Sequence, residues 1–308
     1  MSGPARVLVI GWQGQLGADL RRCFPAGTLG VDYPECDVRD QRQVEATVAG
    51  ARPQWVINCA AQTNVDGCEH DPHAAFAVNA VGAWHVARAA ARWGARVIYI
   101  STDYVFGARP TRDGAFSEDD CPAPLNVYGA SKLAGEHLTL ACSARNLVVR
   151  TSGLYGHAGA RGKGGNFVET MLRLAATGQP IRVVNDQRLS PTSTVALATR
   201  LAALLSCPTG GIVHVAAPDA CSWFEFASEI FAYAQLAVDI SAVPSSHYPT
   251  IATRPALSAL TSRRLADLGI PACPPWRQML HEYLRTRPVP PLTSAAPQAG
   301  ADGQRVQR

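Results

Sequence analysis

Val7-Leu8-Val9-Ile10-Gly11-Trp12-Gln13-Gly14-Gln15-Leu16-Gly17 is the stretch on which the fold turns. Four consecutive aliphatic residues leave a strand with no polar face, so both of its faces must be covered. Glycines follow at once, and a helical pattern opens at about Leu16. A glycine pattern alone is a weak signal. Between a buried strand and a helix it marks a turn that can cradle a dinucleotide. Gly11 permits the tight turn, Gly14 lets backbone approach a pyrophosphate, and Gly17 allows the helix to pack closely on the strand. Free N–H groups at the helix start, around Gln15 and Leu16, present donors and a positive dipole end to phosphate. Asp32 falls about twenty residues on, where a carboxylate can bind the adenosine ribose hydroxyls, and Asp37 and Val38 are placed to flank the adenine. Either acid can equally be a solvated loop charge.

Working outward, short apolar runs alternate with helical stretches. Strands are predicted at 55–58, 97–100 and 147–150, with an Ala-rich helix over roughly 73–93 stopped by Gly94 and another over 128–142. This alternation predicts an α/β fold, a doubly wound, Rossmann-like parallel sheet with right-handed crossovers. The second half is less regular. A mobile Gly-rich loop is expected at 156–165, helices near 167–176 and 193–205, and strands at 181–184 and 212–215. Residues 1–287 therefore read as one domain, with the chain from about 151 supplying most of a smaller C-terminal substrate-binding lobe. The Pro-, Ala- and Gln-rich tail, 288–308, is expected to be disordered.

The 308 residues carry a net charge of +4, with 47% hydrophobic and 17% charged residues. This balance excludes general disorder, and the lack of a basic stripe argues against nucleic acid as a partner. No apolar run approaches the ~18 residues that span a bilayer, so no membrane partner is expected. The N-terminal apolar run reads as a first strand, not a signal peptide. Nine cysteines without paired spacing fit reduced thiols and a cytoplasmic location.

Two further motifs carry chemistry. Tyr128 and Lys132 stand four residues apart, on one helix face. A phenol has a pKa of about 10, and a neighbouring ammonium would lower it, so Tyr128 could give a proton to a developing alkoxide. In isolation this spacing is common by chance. Ser101-Thr102-Asp103 closes a predicted strand at its C-terminal end, where open α/β sheets bind ligands. Thr102 could hydrogen-bond a substrate carbonyl there, or simply cap the strand.

Together and in this order, the motifs resemble the extended short-chain dehydrogenase/reductases, and more narrowly the dTDP-4-dehydrorhamnose reductase family. The resemblance rests on GWQGQLG (11–17), NCAAQTNVDGCE (58–69), STDYVF (101–106), PLNVYGASKLAGE (124–136), RTSGLYG (150–156) and NDQRLSPT (185–192). It implies hydride transfer from NADPH or NADH to the C4 ketone of a nucleotide-linked sugar. Thr102 would orient the carbonyl, Tyr128 would donate the proton, and Lys132 would tune Tyr128 and hold the nicotinamide ribose. Ala60 and Ala61 would permit close cofactor approach, and Gln62 and Thr63 would sit at the cofactor–substrate junction. Asn79 would support the active-site strands, while Val65, Asp103, Gly153 and Arg254 would meet the substrate. Some members dimerise, in certain cases around magnesium. Asp19 is the one conceivable counterpart here, so a homodimer is open and no required metal is expected.

Two departures bear on the substrate. The family's tryptophan after Arg-Thr-Ser is Gly153, and its asparagine in Arg-Pro-x-Asn-Ser is Leu257. The lost indole is expected either to leave a wider pocket, with Tyr155 or His157 as the neighbours placed to fill it, or to reflect another substrate. The alternatives are thus a reductase of another nucleotide-linked 4-keto sugar, or a non-catalytic NADP-binding regulatory subunit.

Overall fold

In a computed structural model that describes residues 6–24, 26–108, 114–159 and 165–287, β1 (Val7–Ile10) lies inside a six-stranded parallel sheet. β2 (Leu29–Val31) flanks it on one side and β3 (Trp55–Asn58) on the other, followed outward by β4 (Arg96–Thr102) and β5 (Leu147–Thr151). Four short strands come next in the chain: β6 (Leu154–Tyr155), β7 (Ile181–Val184), β8 (Arg188–Leu189) and β9 (Thr192–Ser193). β10 (Gly211–His214) then returns to the sheet beside β5. The order is β10-β5-β4-β3-β1-β2, and it reverses direction between β1 and β3. β11 (Cys221–Ser222) pairs with β8, β12 (Ile240–Val243) with β7, and β6 with β9, so the later chain builds small sheets of its own.

Alternation along the strands separates two cores. Val7, Val9, Ile57, Ile98 and Val149 face one of them, with α1 (Gln15–Cys23) and the later helices α8 and α9 described below. Leu8, Ile10, Val56 and Val97 face the other, with α2 (Gln41–Ala51). A strand buried on both faces is what an unbroken aliphatic run requires. α3 (Val65–His70) and α4 (Pro72–Phe76) follow β3.

The expected single helix over 73–93 is interrupted. Between α4 and α5 (Ala83–Arg92) lies a π-helical stretch, Ala77–Gly82. The wider turn carries Asn79, a device seen often at functional sites. α6 (Val127–Cys142) is capped by the Asn126 side chain, which accepts from the Gly129 N–H, and it buries Lys132 and Glu136. The rest are α7 (Phe167–Ala175), α8 (Thr194–Leu204), α9 (Trp223–Tyr233), α10 (Arg264–Asp267) and α11 (Trp276–Thr286). Among the described residues no helix is long and apolar enough to cross a membrane. All nine cysteines are thiols. The tail, 288–308, and the centre of the Gly-rich loop, 160–164, lie outside the described residues.

Candidate active site

A cavity of about 400 Å³ opens at the C-terminal ends of the sheet strands, where this topology places ligands. The glycine-rich turn forms one wall: Gly11, Gly14, Gln15, Leu16 and Gly17 all line it. Gly11 has φ +86°, and a Cβ there would stand 3.0 Å from the Ala60 nitrogen, so this turn accepts no side chain without a shift. Gly14 caps α1 without a side chain, leaving the first N–H groups of the helix for a ligand. Gln15 donates through Nε2 to the Leu154 carbonyl, while its buried Oε1 has no partner. These features fit a dinucleotide, whose hydroxyl donors and phosphates complement an orphan acceptor and free amides.

Ala61, Thr63 and Val65 also reach the cavity wall, whereas Ala60 and Gln62 do not line it. The Ala60 N–H donates to Asn58 Oδ1. Gln62 is held at both backbone groups by the Asn79 carboxamide, at 2.9 and 3.1 Å, and Asn79 Nδ2 also donates to Ser131 Oγ on α6. Asn79 thus ties the loop after β3 to the helix of Tyr128. Asp32 stands just past β2, and its carboxylate accepts from the Gln13 and Tyr33 N–H groups at 2.7 and 3.0 Å. Asp37 and Val38 do not line the cavity. Asp37 pairs with Arg39 at 2.6 Å, and Val38 is buried with its carbonyl bonded to His85. Asp19 is buried on α1 and engaged by Arg22 and Thr194.

Thr102, Asp103, Tyr128 and Lys132 line the same cavity. Lys132 is 2% exposed, donates to the Ile100 carbonyl at 2.7 Å and lies 3.9 Å from the Tyr99 ring centroid. Burial pulls its pKa down to about 7, with Glu136 and Cys59 opposing. Glu136, one helical turn further, is forked onto the buried Arg150 guanidinium at 2.9 and 2.7 Å. Tyr128 corrects an expectation. Burial raises its pKa, and the group that opposes burial is the Thr102 hydroxyl, not Lys132. The ammonium is directed at Ile100 and Tyr99 instead. Asp103 is 3% exposed and accepts from the hydroxyls of Thr102, Ser152 and Ser258.

On the substrate side, Arg254 lines the cavity but is already paired, with Asp66 Oδ2 at 2.7 Å. Burial pushes the Asp66 carboxyl up, yet Arg254 and the Ala252 N–H together hold it below the usual range. Gly153 lines the cavity at φ +51°, and a Cβ there would stand 2.7 Å from Leu189 Cδ1. Neither expected neighbour fills the space beside it. Tyr155 is held between Phe226 and Tyr283, and His157 stacks on Tyr283. Leu189 takes that place. Sequence reasoning missed Leu189, Phe167, Trp223 and Phe226, all of them cavity-lining. The aromatic spacing of Trp223 and Phe226, three apart on α9, was the available signal.

Residues 5–288 match the family model described as the RmlD substrate binding domain. The chain is 40% identical over 285 residues to the spore coat polysaccharide biosynthesis protein SpsK of Bacillus subtilis, covering 92% of this chain and 98% of that protein. It is 37% identical to a dTDP-4-dehydrorhamnose reductase of Escherichia coli, covering 92% and 99%. A crystal structure of a dTDP-4-dehydrorhamnose reductase from Bacillus anthracis in complex with NADP superposes with a TM-score of 0.85 at 37% identity, covering 92% and 99%. The chain belongs to the dTDP-4-dehydrorhamnose reductase family, a family of NAD(P)-dependent oxidoreductases.

Proposed function

We propose that this chain reduces the C4 ketone of dTDP-4-dehydro-L-rhamnose to dTDP-L-rhamnose, using NADPH or NADH. The supporting observation is the meeting of Thr102, Tyr128 and Lys132 with the glycine-rich turn around one cavity. When bound, the nicotinamide cofactor supplies the hydride. Gly11, Gly14, Gln15, Leu16 and Gly17 would cradle it by backbone, with Asp32 at the ribose, and Lys132 would contribute its ammonium. The Tyr128 phenol, with an ordinary pKa of about 10, holds its proton at neutral pH, so it can act as the acid toward a developing alkoxide. Thr102 would orient the carbonyl with Asp103 behind it, and Val65, Gly153 and Arg254 would meet the nucleotide sugar. The same reading takes residues 1–287 as one reductase domain, with the chain from about 151 forming most of the substrate lobe. A cytoplasmic location and a homodimer belong to the proposal as well.

Gly153 and Leu257, together with the similarity to a spore coat polysaccharide protein, support a second reading, a different nucleotide-linked 4-keto sugar. Purified chain offered a panel of such sugars, with NADH or NADPH and following nicotinamide absorbance, tests both. Fastest turnover on the dTDP-rhamnose precursor supports the first, and faster turnover on another sugar supports the second. Cofactor binding without turnover on any sugar would leave a non-catalytic subunit.

A further inference from the structure

The Thr102 hydroxyl has one proton and three neighbours. It donates to Asp103 Oδ1 at 3.0 Å, accepts from the Tyr104 N–H at 3.2 Å, and shares a hydrogen bond with the Tyr128 phenol. With its proton committed to Asp103, it can only accept from Tyr128. Ser152 and Ser258 donate their own hydroxyl protons to Asp103 Oδ2, at 2.8 and 2.6 Å. Three hydroxyl protons, from the end of β4, the residue after β5 and the segment before α10, therefore converge on one buried carboxylate. An ionised carboxylate can accept all three. A carboxylic acid carries its proton on one oxygen and donates there. A proton on Oδ1 would be donated to Thr102 Oγ1, which would release the Thr102 proton for a carbonyl in the cavity.

We propose that Asp103 is a positioning residue for the ketone reduction: whether it is ionised or protonated decides whether Thr102 gives its hydroxyl proton to Asp103 or to the substrate carbonyl. Binding of the carbonyl is then coupled to uptake of one proton from solvent by Asp103. This rests on the reductase reading above and adds a device to it. Burial pushes Asp103 up to about 6, against the hydrogen bonds from Ser258, Ser152 and Thr102. The titratable or charged groups that share its surroundings are Tyr104 on its own turn, Tyr128 and Lys132 on α6, and Arg254 across the cavity. Lys132 is directed at Ile100 and Arg254 at Asp66, so the hydroxyls govern this carboxylate.

Asp103→Asn mimics the protonated acid, since its amide can donate toward Thr102 while its oxygen accepts from the serines. In the wild type, kcat/KM should fall as pH rises above about 6. In Asp103→Asn the fall near pH 6 should vanish, leaving only the later fall that follows loss of the Lys132 proton near pH 7. Ser258→Ala removes a donor to the carboxylate and should move the fall upward by roughly half a pH unit to one unit. If Asp103→Asn does not fold, the Ser258→Ala shift decides. Carboxyl-carbon NMR of the chain without ligands follows Asp103 directly, and Thr102→Val should raise its titration midpoint. An unchanged pH profile in Asp103→Asn, an equal large loss at every pH, or a midpoint indifferent to Thr102→Val overturns the inference while wild-type turnover stands. A wild type that reduces no 4-keto sugar overturns the functional reading instead, and the inference with it.

Discussion

Lys132→Met removes an ammonium that the fold keeps 2% exposed, with one carbonyl and one aromatic face for company. The free side chain titrates at 10.5, and here burial brings it to about 7. Between those two values the unfolded chain binds more protons than the folded one, so folding stability rises with pH. Each pH unit in that window is worth about 1.4 kcal/mol, so about 3 kcal/mol of stability should appear between about pH 7 and pH 9. Below the folded value both states hold the proton and this contribution is flat, at its most unfavourable. Methionine has similar reach and no charge to desolvate. Without cofactor, Lys132→Met should therefore be more stable than the wild type at pH 6, and its advantage should shrink by about 3 kcal/mol at pH 9. Urea unfolding of both chains at the two pH values measures the difference. An advantage that does not change with pH, or a methionine variant less stable at pH 6, refutes the reasoning. The same variant should lose turnover, an exchange of activity for stability common at active sites.

Tyr128→Phe should lower kcat by several orders of magnitude with cofactor affinity nearly unchanged, measured by steady-state kinetics and cofactor titration. Gly153→Trp places a side chain at φ +51° against Leu189; it should cost about 1–3 kcal/mol in thermal unfolding and give no gain in KM. A lower KM at unchanged stability would show that the backbone accepts the indole. Arg254→Ala leaves Asp66 without its ion partner and should raise KM by roughly tenfold or more with a smaller effect on kcat.

Legibility followed range. Val7–Ile10, the glycine turn and the Tyr128–Lys132 spacing are local patterns, set by which side chains must be buried and which residues share a helix face. They determined the parallel sheet, and they marked the glycine turn, Tyr128 and Lys132, which all line one cavity. Tertiary structure decided what depends on distant partners. Ser152 and Ser258 meet Asp103 across 49 and 155 residues, and Asn79 reaches Ser131 across 52. The same holds for the pKa of Tyr128. Its neighbour in sequence, Lys132, suggested a lowered value, but burial raises it, with the Thr102 hydroxyl opposing. Leu189 beside Gly153 and the aromatic wall on α9 come from chain that only folding brings to the cavity. Sequence alone determined which chemistry the chain carries. The desolvation and hydrogen-bond partners that tune it exist only where segments far apart in the chain pack together.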